Sequence, residues 1–109
     1  MSFIALCEHA IATGKAIQQI AADQLTLREK ELLRVAADDG LFFLSHSDRY
    51  GRFVLTSRRE FVDDDPAITA HWLDAFMRLC DRGLVMHQHG RRFRLGGQGF
   101  DLARNLAKN

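Results

Sequence analysis

The sequence predicts one α+β domain in which helices alternate with two β-hairpins, preceded by an additional N-terminal helix. Three observations predict this fold. Apolar residues recur at helical spacing in several segments, two runs of strand-forming residues are each followed by turn residues and a second such run, and capping residues mark helix starts. At 109 residues the chain has the length of one domain. We expect residues 1–25 to form the N-terminal helix and residues 26–109 the domain itself.

The composition is that of an ordinary globular protein, with 47% hydrophobic and 27% charged residues. The formal net charge of +1 is far below that of a typical, strongly basic nucleic-acid-binding domain. The charge is uneven, however, because residues 91–109 carry +4 from five basic and one acidic side chain. A basic C-terminal end on a nearly neutral chain is compatible with a local contact to an anion.

Location and redox state are predicted from the N-terminus and the cysteines. Residues 1–12 include Glu8 and His9 and have no basic leader, so we expect no signal peptide. No run of about 20 apolar residues is present, and we expect no membrane span. Cys7 and Cys80 lie far apart in apolar stretches, which is typical of buried thiols in the cytoplasm. A disulfide between them is possible, but the spacing of the two cysteines does not indicate one.

The N-terminal helix is predicted over residues 2–22, where apolar residues form a broad helical stripe. Ala10 and Gly14, four residues apart, would let another helix approach closely. Either this helix covers its own domain or it pairs with a second copy of the chain, since periodicity does not identify the partner. In the function favoured below, it joins two copies in a homodimer.

The next helix is predicted to begin at a capping box, Thr26 with Glu29, in which each side chain bonds the other residue's amide. Gly40 is placed to end the helix in a left-handed conformation. The residues expected to point inward are Leu27, Leu32, Leu33, Val35 and Ala36.

A hairpin and a long helix follow. Leu41–Leu44 and Phe53–Leu55 are rich in strand-forming residues, and residues 48–51 supply the turn between them. Asp65 is the predicted N-cap of the helix, with Pro66 in its first turn and aspartates at the positive end of its dipole. This helix is expected to stop near Gly83, and its apolar face holds Trp72, Leu73, Phe76, Leu79 and Cys80.

The second hairpin is predicted from residues 84–88 and 91–95, with a two-residue turn at His89 and Gly90. This register places Leu84 opposite Leu95 and Met86 opposite Phe93 on one face, with Val85 opposite Arg94 and His87 opposite Arg92 on the other. A closing helix over Phe100–Ala107 is expected to pack through Phe100, Ala103, Leu106 and Ala107.

Two stretches of the C-terminal half resemble the winged-helix superfamily. The run from Trp72 to Val85 resembles the A-L-x-x-L-x-x-x-G-L-I stretch that ends the recognition helix in that superfamily. Gly90–Leu95, followed by Gly99–Ala103, resembles the wing and its exit. The resemblance covers about residues 26–108 and is shared by bacterial regulators and by winged-helix modules of phage-defence and superinfection-exclusion proteins. It implies a winged-helix fold.

The chain departs from the family pattern in two places. A hairpin over Leu41–Thr56 stands where a DNA-binding member has a short second helix. This replacement of a helix by a hairpin is more similar to the defence-associated modules. Gly96 stands where the family often has a capping Thr, so we expect the closing helix to begin later.

The resemblance implies DNA binding through the recognition helix and the wing, but the helix is poorly suited to it. The outward positions of this helix are Ala67, His71, Asp74, Arg78, Asp81 and Arg82. They offer few base-reading side chains, and their two aspartates add to the acidic residues at the start of the helix. The better candidates for contact with double-stranded DNA or an acidic protein surface are arginines, namely Arg91, Arg92, Arg94 and Arg104, with Arg49, Arg52, Arg58 and Arg59 from the first hairpin region. Alternatively, these arginines are ordinary solvated positions balanced by nearby acids.

Metal binding and catalysis are weakly indicated. His87 and His89, two apart on one strand, could face the same side, but a third ligand would have to come from His46 or His71. Residues 45–48 contain the residue types of a catalytic triad, yet strand neighbours point to opposite faces. The glycine-rich residues 96–99 lack the strand and lysine of a phosphate-binding loop. We expect no enzyme, no metal and no cofactor.

Two functions follow from these observations. The first is a winged-helix DNA-binding or regulatory protein, dimeric through its N-terminal helix, whose basic wing contacts mainly the DNA backbone. The second is a non-enzymatic protein–protein interaction module of winged-helix fold, of the kind found in phages and mobile elements.

Overall fold

The structure is a computed structural model that describes residues 22–108. The N-terminal helix predicted over residues 2–22 lies outside the described residues except for Ala22, which begins a 3-10 turn at Ala22–Gln24. Three helices and four strands follow: α1 (Leu27–Val35), β1 (Leu41–Ser47), β2 (Gly51–Leu55), α2 (Pro66–Asp81), β3 (Val85–His89), β4 (Arg92–Leu95) and α3 (Gly97–Lys108). This is an α+β domain with the predicted order of helices and hairpins.

The four strands form one antiparallel sheet in the order β2-β1-β4-β3. The central strand β1 pairs with both neighbours, so that Leu44 lies opposite Val54 and Phe42 opposite Phe93. Since β4 runs antiparallel to β1, the turn that precedes β4 and the turn that follows β1 lie at the same end of the sheet. We call this the hairpin end.

The register divides the side chains between two faces, because neighbouring residues of a strand point to opposite sides. The helix-side face carries Phe42, Val54, Val85, Phe93 and Leu95, which pack into the hydrophobic core. All three helices contribute buried side chains to that core: Leu32, Leu33, Phe76, Leu79, Leu102 and Ala103. The opposite face, which we call the outer face, carries Leu41, Phe43, Phe53, Leu55, Met86, Arg92 and Arg94.

The predicted starts of α1 and α2 are confirmed. Thr26 and Glu29 form both hydrogen bonds of the capping box, at 2.8 and 3.2 Å. Asp65 caps α2 by accepting a hydrogen bond from the amide of Ala67 at 2.9 Å, with Pro66 as the first helical residue. These caps are local, which is why they could be predicted from short sequence patterns.

One position in α1 was predicted wrongly. Leu27 is 82% exposed, because it lies one residue after the N-cap and off the buried stripe. That stripe runs through Glu29, Leu32, Leu33 and Ala36, the spacing of a single helix face. Gly40 has the predicted positive φ of 70°, but the helix itself ends at Val35, and the Gly40 amide bonds the Ala36 carbonyl across the following turn.

The register of the second hairpin differs by one residue from the prediction. Val85, not Leu84, lies opposite Leu95, and His87, not Met86, lies opposite Phe93. The cause is a bulge between His87 and His89, which moves the turn to Gly90 and Arg91. Leu84 is buried just before the strand, where its amide bonds the Leu79 carbonyl and its own carbonyl accepts from the Gly96 amide.

The closing helix begins earlier than predicted, at Gly97 instead of Phe100. Gly96 has no capping side chain, and its carbonyl accepts the first hydrogen bond of the helix, from the Phe100 amide at 2.9 Å. Leu102 and Ala103 provide its buried contacts, whereas Ala107, expected to pack, is exposed. In residues 22–108, none of the helices combines the length and apolarity that crossing a bilayer requires.

Candidate nucleic-acid interface

Three of the predicted contact arginines are held in ion pairs. Arg49 lies 2.6 Å from Asp64, and Arg58 lies 3.1 Å from Asp38. Arg59 lies 2.9 Å from Glu31 on α1. For these three, the balancing by acids considered in the sequence does occur: Arg49 pairs with one of the three consecutive aspartates before α2, whereas the partners of Arg58 and Arg59 come from residues earlier in the chain.

Arg59 is tied down most firmly. Its guanidinium also lies over the rings of Phe61 and Trp72, at 4.5 and 5.2 Å from their centroids. Its partner Glu31 accepts hydrogen bonds from Arg34 as well, which is the main reason that the pKa of Glu31 lies below its usual value. Arg59 therefore joins α1, α2 and the segment after β2, and its role is structural.

The other predicted arginines of the hairpins are Arg52, Arg91, Arg92 and Arg94. All four side chains are exposed, and none of them is ion-paired with an acid in residues 22–108. We call these four the unpaired arginines. Arg104 belongs to neither group, since it lies on α3 with its guanidinium 5.0 Å from the centroid of Phe100.

Two of the unpaired arginines line one cleft at the hairpin end, which we call the arginine cleft. Arg52 lies opposite His46 in the β1–β2 register, and the Arg91 carbonyl accepts the Leu44 amide at 3.0 Å. Both therefore flank β1 on its helix side. The cleft has a volume of about 410 Å³ and is lined by Leu44, Ser45, His46, Arg52 and Arg91. Guanidinium groups offer planar pairs of donors, which match the oxygens of phosphates and carboxylates.

The remaining two unpaired arginines project from the outer face. Arg92 lies opposite Phe43 and Arg94 opposite Leu41. The wing arginines thus divide between the two faces, with Arg91 on the helix side and the other two behind it. Alternation along the strand could have indicated this division, but only once the turn was placed at Gly90 and Arg91.

The exposed face of α2 matches the prediction, since all six predicted outward positions are exposed. Its acidic start already has partners: Asp65 caps the helix, Asp63 accepts the Asp65 amide at 2.8 Å, and Asp64 holds Arg49. Arg78 and Arg82 lie 3.9 and 3.7 Å from the buried carboxylate of Glu29. The helix therefore offers few free groups that could read base edges.

The histidines do not converge. The bulge puts His87 and His89 opposite Phe93 and Arg92 respectively, hence on opposite faces, so the expectation that they could share a side is wrong. His87 donates from Nε2 to the Gly90 carbonyl at 2.8 Å, and its ring lies against Phe93. Across the described part of the chain, no three His, Cys, Asp or Glu side chains are placed to hold a metal ion.

Sequence reasoning missed the role of His46 and Ser45, which it considered only as metal or triad residues. Both line the arginine cleft. The cross-strand pairing of His46 with Arg52 follows from the hairpin turn and was available as a signal.

Searches of protein-family models, of curated proteins and of solved structures found no match to this chain. The function must therefore be argued from the geometry of the chain itself.

Proposed function

We propose that this chain is a winged-helix DNA-binding protein that grips the phosphate backbone with its unpaired arginines. One observation carries the proposal: of the seven hairpin-region arginines predicted to make contact, Arg52 and Arg91 have no acidic partner in residues 22–108 and line one cleft at the hairpin end. Cations that have no counter-charge among residues 22–108 attract polyanions, whereas the ion-paired arginines contribute much less to such a field.

The order of elements supports the winged-helix part of this proposal. The hairpin β3–β4 follows α2 directly, in the position of a wing, and β4 pairs with β1. The helix α3 then returns to the core beside α1. The hairpin β1–β2 replaces the usual second helix, and it supplies Arg52.

The proposed contact is with the backbone and not with the bases. The face of α2 offers few free base-reading groups, and its aspartates would repel phosphates. The arginine cleft, by contrast, is lined by Arg52 and Arg91, whose guanidiniums suit the oxygens of a phosphate. We therefore infer binding with little sequence preference and with a strong dependence on salt.

The experiment is a salt titration of binding to a random DNA duplex. Each phosphate contact contributes about 0.9 to the slope of log affinity against log salt concentration. The double variant Arg52→Gln with Arg91→Gln should lower the slope by about 2 and weaken binding about uniformly across sequences. The matched control is Arg49→Gln with Arg58→Gln, which removes the same charge from two ion-paired arginines and should leave the slope nearly unchanged.

Two results would contradict the proposal. One is the absence of binding to duplex DNA even at low salt. The other is an equal loss of slope in the two double variants, which would mean that total charge, and not the unpaired arginines, governs the interaction.

A second candidate is a module that binds an acidic protein surface with the same cleft. The acidic face of α2 favours it, since Asp74 and Asp81 are exposed there and would hinder an approach of this helix to DNA. Carboxylates fit paired guanidiniums as well as phosphates do. In the same salt series, binding to a glutamate-rich peptide without binding to the duplex would favour this function.

A further inference from the structure

The strand β1 places a histidine in the arginine cleft. Its residues alternate between the two faces of the sheet, so that Phe42, Leu44 and His46 share the helix-side face. Phe42 is buried in the core and Leu44 packs against that core, whereas His46 belongs to neither group and is exposed. The strand therefore leaves an imidazole ring at the hairpin end, beside Leu44 in the lining of the cleft.

Arginines lie on both sides of His46. Arg52 is directly opposite on β2, and the Cβ atoms of opposite residues in an antiparallel pair are about 5 Å apart. The carbonyl of Arg91 accepts the Leu44 amide, which places Arg91 beside Leu44 and diagonally from His46. Diagonal neighbours are about 7–8 Å apart, within reach of a long side chain. Three groups that can carry a positive charge therefore line one cleft.

None of the described residues that line the cleft is acidic. In the turn after β1, Asp48 is not a lining residue, and Asp64 at the start of α2 is held by Arg49. His87, on the same face of the sheet, already donates to a backbone carbonyl of the neighbouring turn. Within residues 22–108, His46 has no hydrogen-bond or ion-pair partner. Its ring is therefore available to a ligand.

We propose that His46, in its protonated form, is the third phosphate ligand of the arginine cleft. The protonated ring has two N–H donors, and it adds a positive charge beside Arg52 and Arg91. Because an anion stabilises the charged ring, binding of phosphate and protonation of His46 favour each other. This inference rests on the proposed function, and it predicts tighter contact with the DNA backbone as the pH falls through the range in which histidine titrates, about pH 8 to 5.

The experiment repeats the salt titration with the random duplex at about pH 7.5 and about pH 5.5. At the lower pH, protonated His46 adds one phosphate contact, so the slope should steepen by about 0.9 and the affinity at 0.1 M salt should rise about 8-fold. His46→Gln should show neither change. The matched control is His71→Gln, which removes an exposed histidine from α2 and should behave as the wild type.

Three results in this experiment would overturn the proposal. The first is a wild-type slope and affinity that do not change with pH, and the second is a pH effect that survives in His46→Gln. The third is a pH effect that disappears in His89→Gln and not in His46→Gln. His89 lies opposite Arg92 on the outer face, and it is the alternative source of a titrating contact.

A second measurement separates this proposal from the proposed function. If the duplex binds at neither pH, DNA binding is wrong, and the cleft is tested with sulfate, which stays a dianion throughout this pH range. The titration of the His46 ring, followed by NMR, should have its midpoint at higher pH in sodium sulfate than in sodium chloride of equal ionic strength. Arg52→Gln with Arg91→Gln should abolish this difference, and the His71 ring is the internal control. An unchanged midpoint for His46 would overturn the proposal whatever the result with DNA.

Discussion

Gly99 illustrates how a single missing side chain positions α3. It is buried beside the residues that precede β3, and a Cβ atom there would overlap the Leu84 carbonyl oxygen and lie 3.1 Å from Leu95 Cδ2. The Leu84 carbonyl cannot easily move, because it accepts the Gly96 amide at 3.0 Å. This contact requires glycine, and it sets how closely the helix approaches the sheet.

The substitution Gly99→Ala should therefore lower the free energy of unfolding by about 1–3 kcal/mol through overpacking. Urea denaturation measures the effect. Gly97→Ala is the control, since a Cβ at that exposed helix position meets nothing within 4 Å and should be neutral or stabilising by up to about 1 kcal/mol. Equal effects in the two variants would show that the close approach at Leu84 is unimportant.

Glu29 is a charged residue on an otherwise apolar stripe. It is fully buried, one carboxylate oxygen caps α1, and the other lies near Arg78 and Arg82 without a hydrogen-bond partner. Glu29→Ala should lower the free energy of unfolding by about 1–3 kcal/mol, because it removes the cap and leaves the arginines without their acid. Glu29→Gln keeps an oxygen for the cap and should cost less in the same urea experiment. A larger cost for Gln than for Ala would contradict this account.

The thiol of Cys80, on α2, lies where its ionisation is unfavourable. Burial, with a smaller contribution from Asp81, raises the pKa of Cys80 to about 11 from an ordinary value of 9.0. In a Cys7→Ser variant, alkylation of the folded protein at pH 8 should be about 100-fold slower than after unfolding in urea, since the thiolate is the reactive form. The raised pKa also makes the free energy of unfolding pH-dependent, because the folded protein favours the protonated thiol. This stabilisation is fully present below pH 9 and is lost as the pH rises through 11. Rapid alkylation of the folded protein would contradict the raised pKa.

The helices α1 and α2 and the first hairpin were predictable, because their signals are local. Caps such as Thr26 and Asp65 and the turn after β1 each lie within a few residues. The register of the second hairpin was not predictable, because the matching apolar pairs favoured an arrangement without a bulge. Tertiary contacts decided otherwise, since Leu84 is held by Leu79 and Gly96 and is not available to pair in the strand.

The candidate site was predictable in residue type but not in charge balance. The arginines were identified from the sequence, yet their division into paired and unpaired groups depends on acids distant along the chain. Arg59 meets Glu31 across 28 positions, and Arg49 meets Asp64 across 15. Such pairings depend on how the elements pack, and no spacing rule predicts them. Of the predicted contact residues, Arg52 and Arg91 at the hairpin end are left without an acidic partner in residues 22–108.

The two edge strands of the sheet, β2 and β3, are protected in different ways, and this protection affects how readily the protein aggregates at high concentration. Along β2, the chain turns back so that Phe61 donates to Val54 and Thr56 donates to Arg59, which occupies part of that border. Along β3, the bulge between His87 and His89 interrupts the row of backbone groups. Strand-to-strand addition of further chains, the usual start of β-aggregation, needs a regular open border. Removing the bulge by deleting Gln88 should make the protein more prone to form fibrils, although its core would be unchanged.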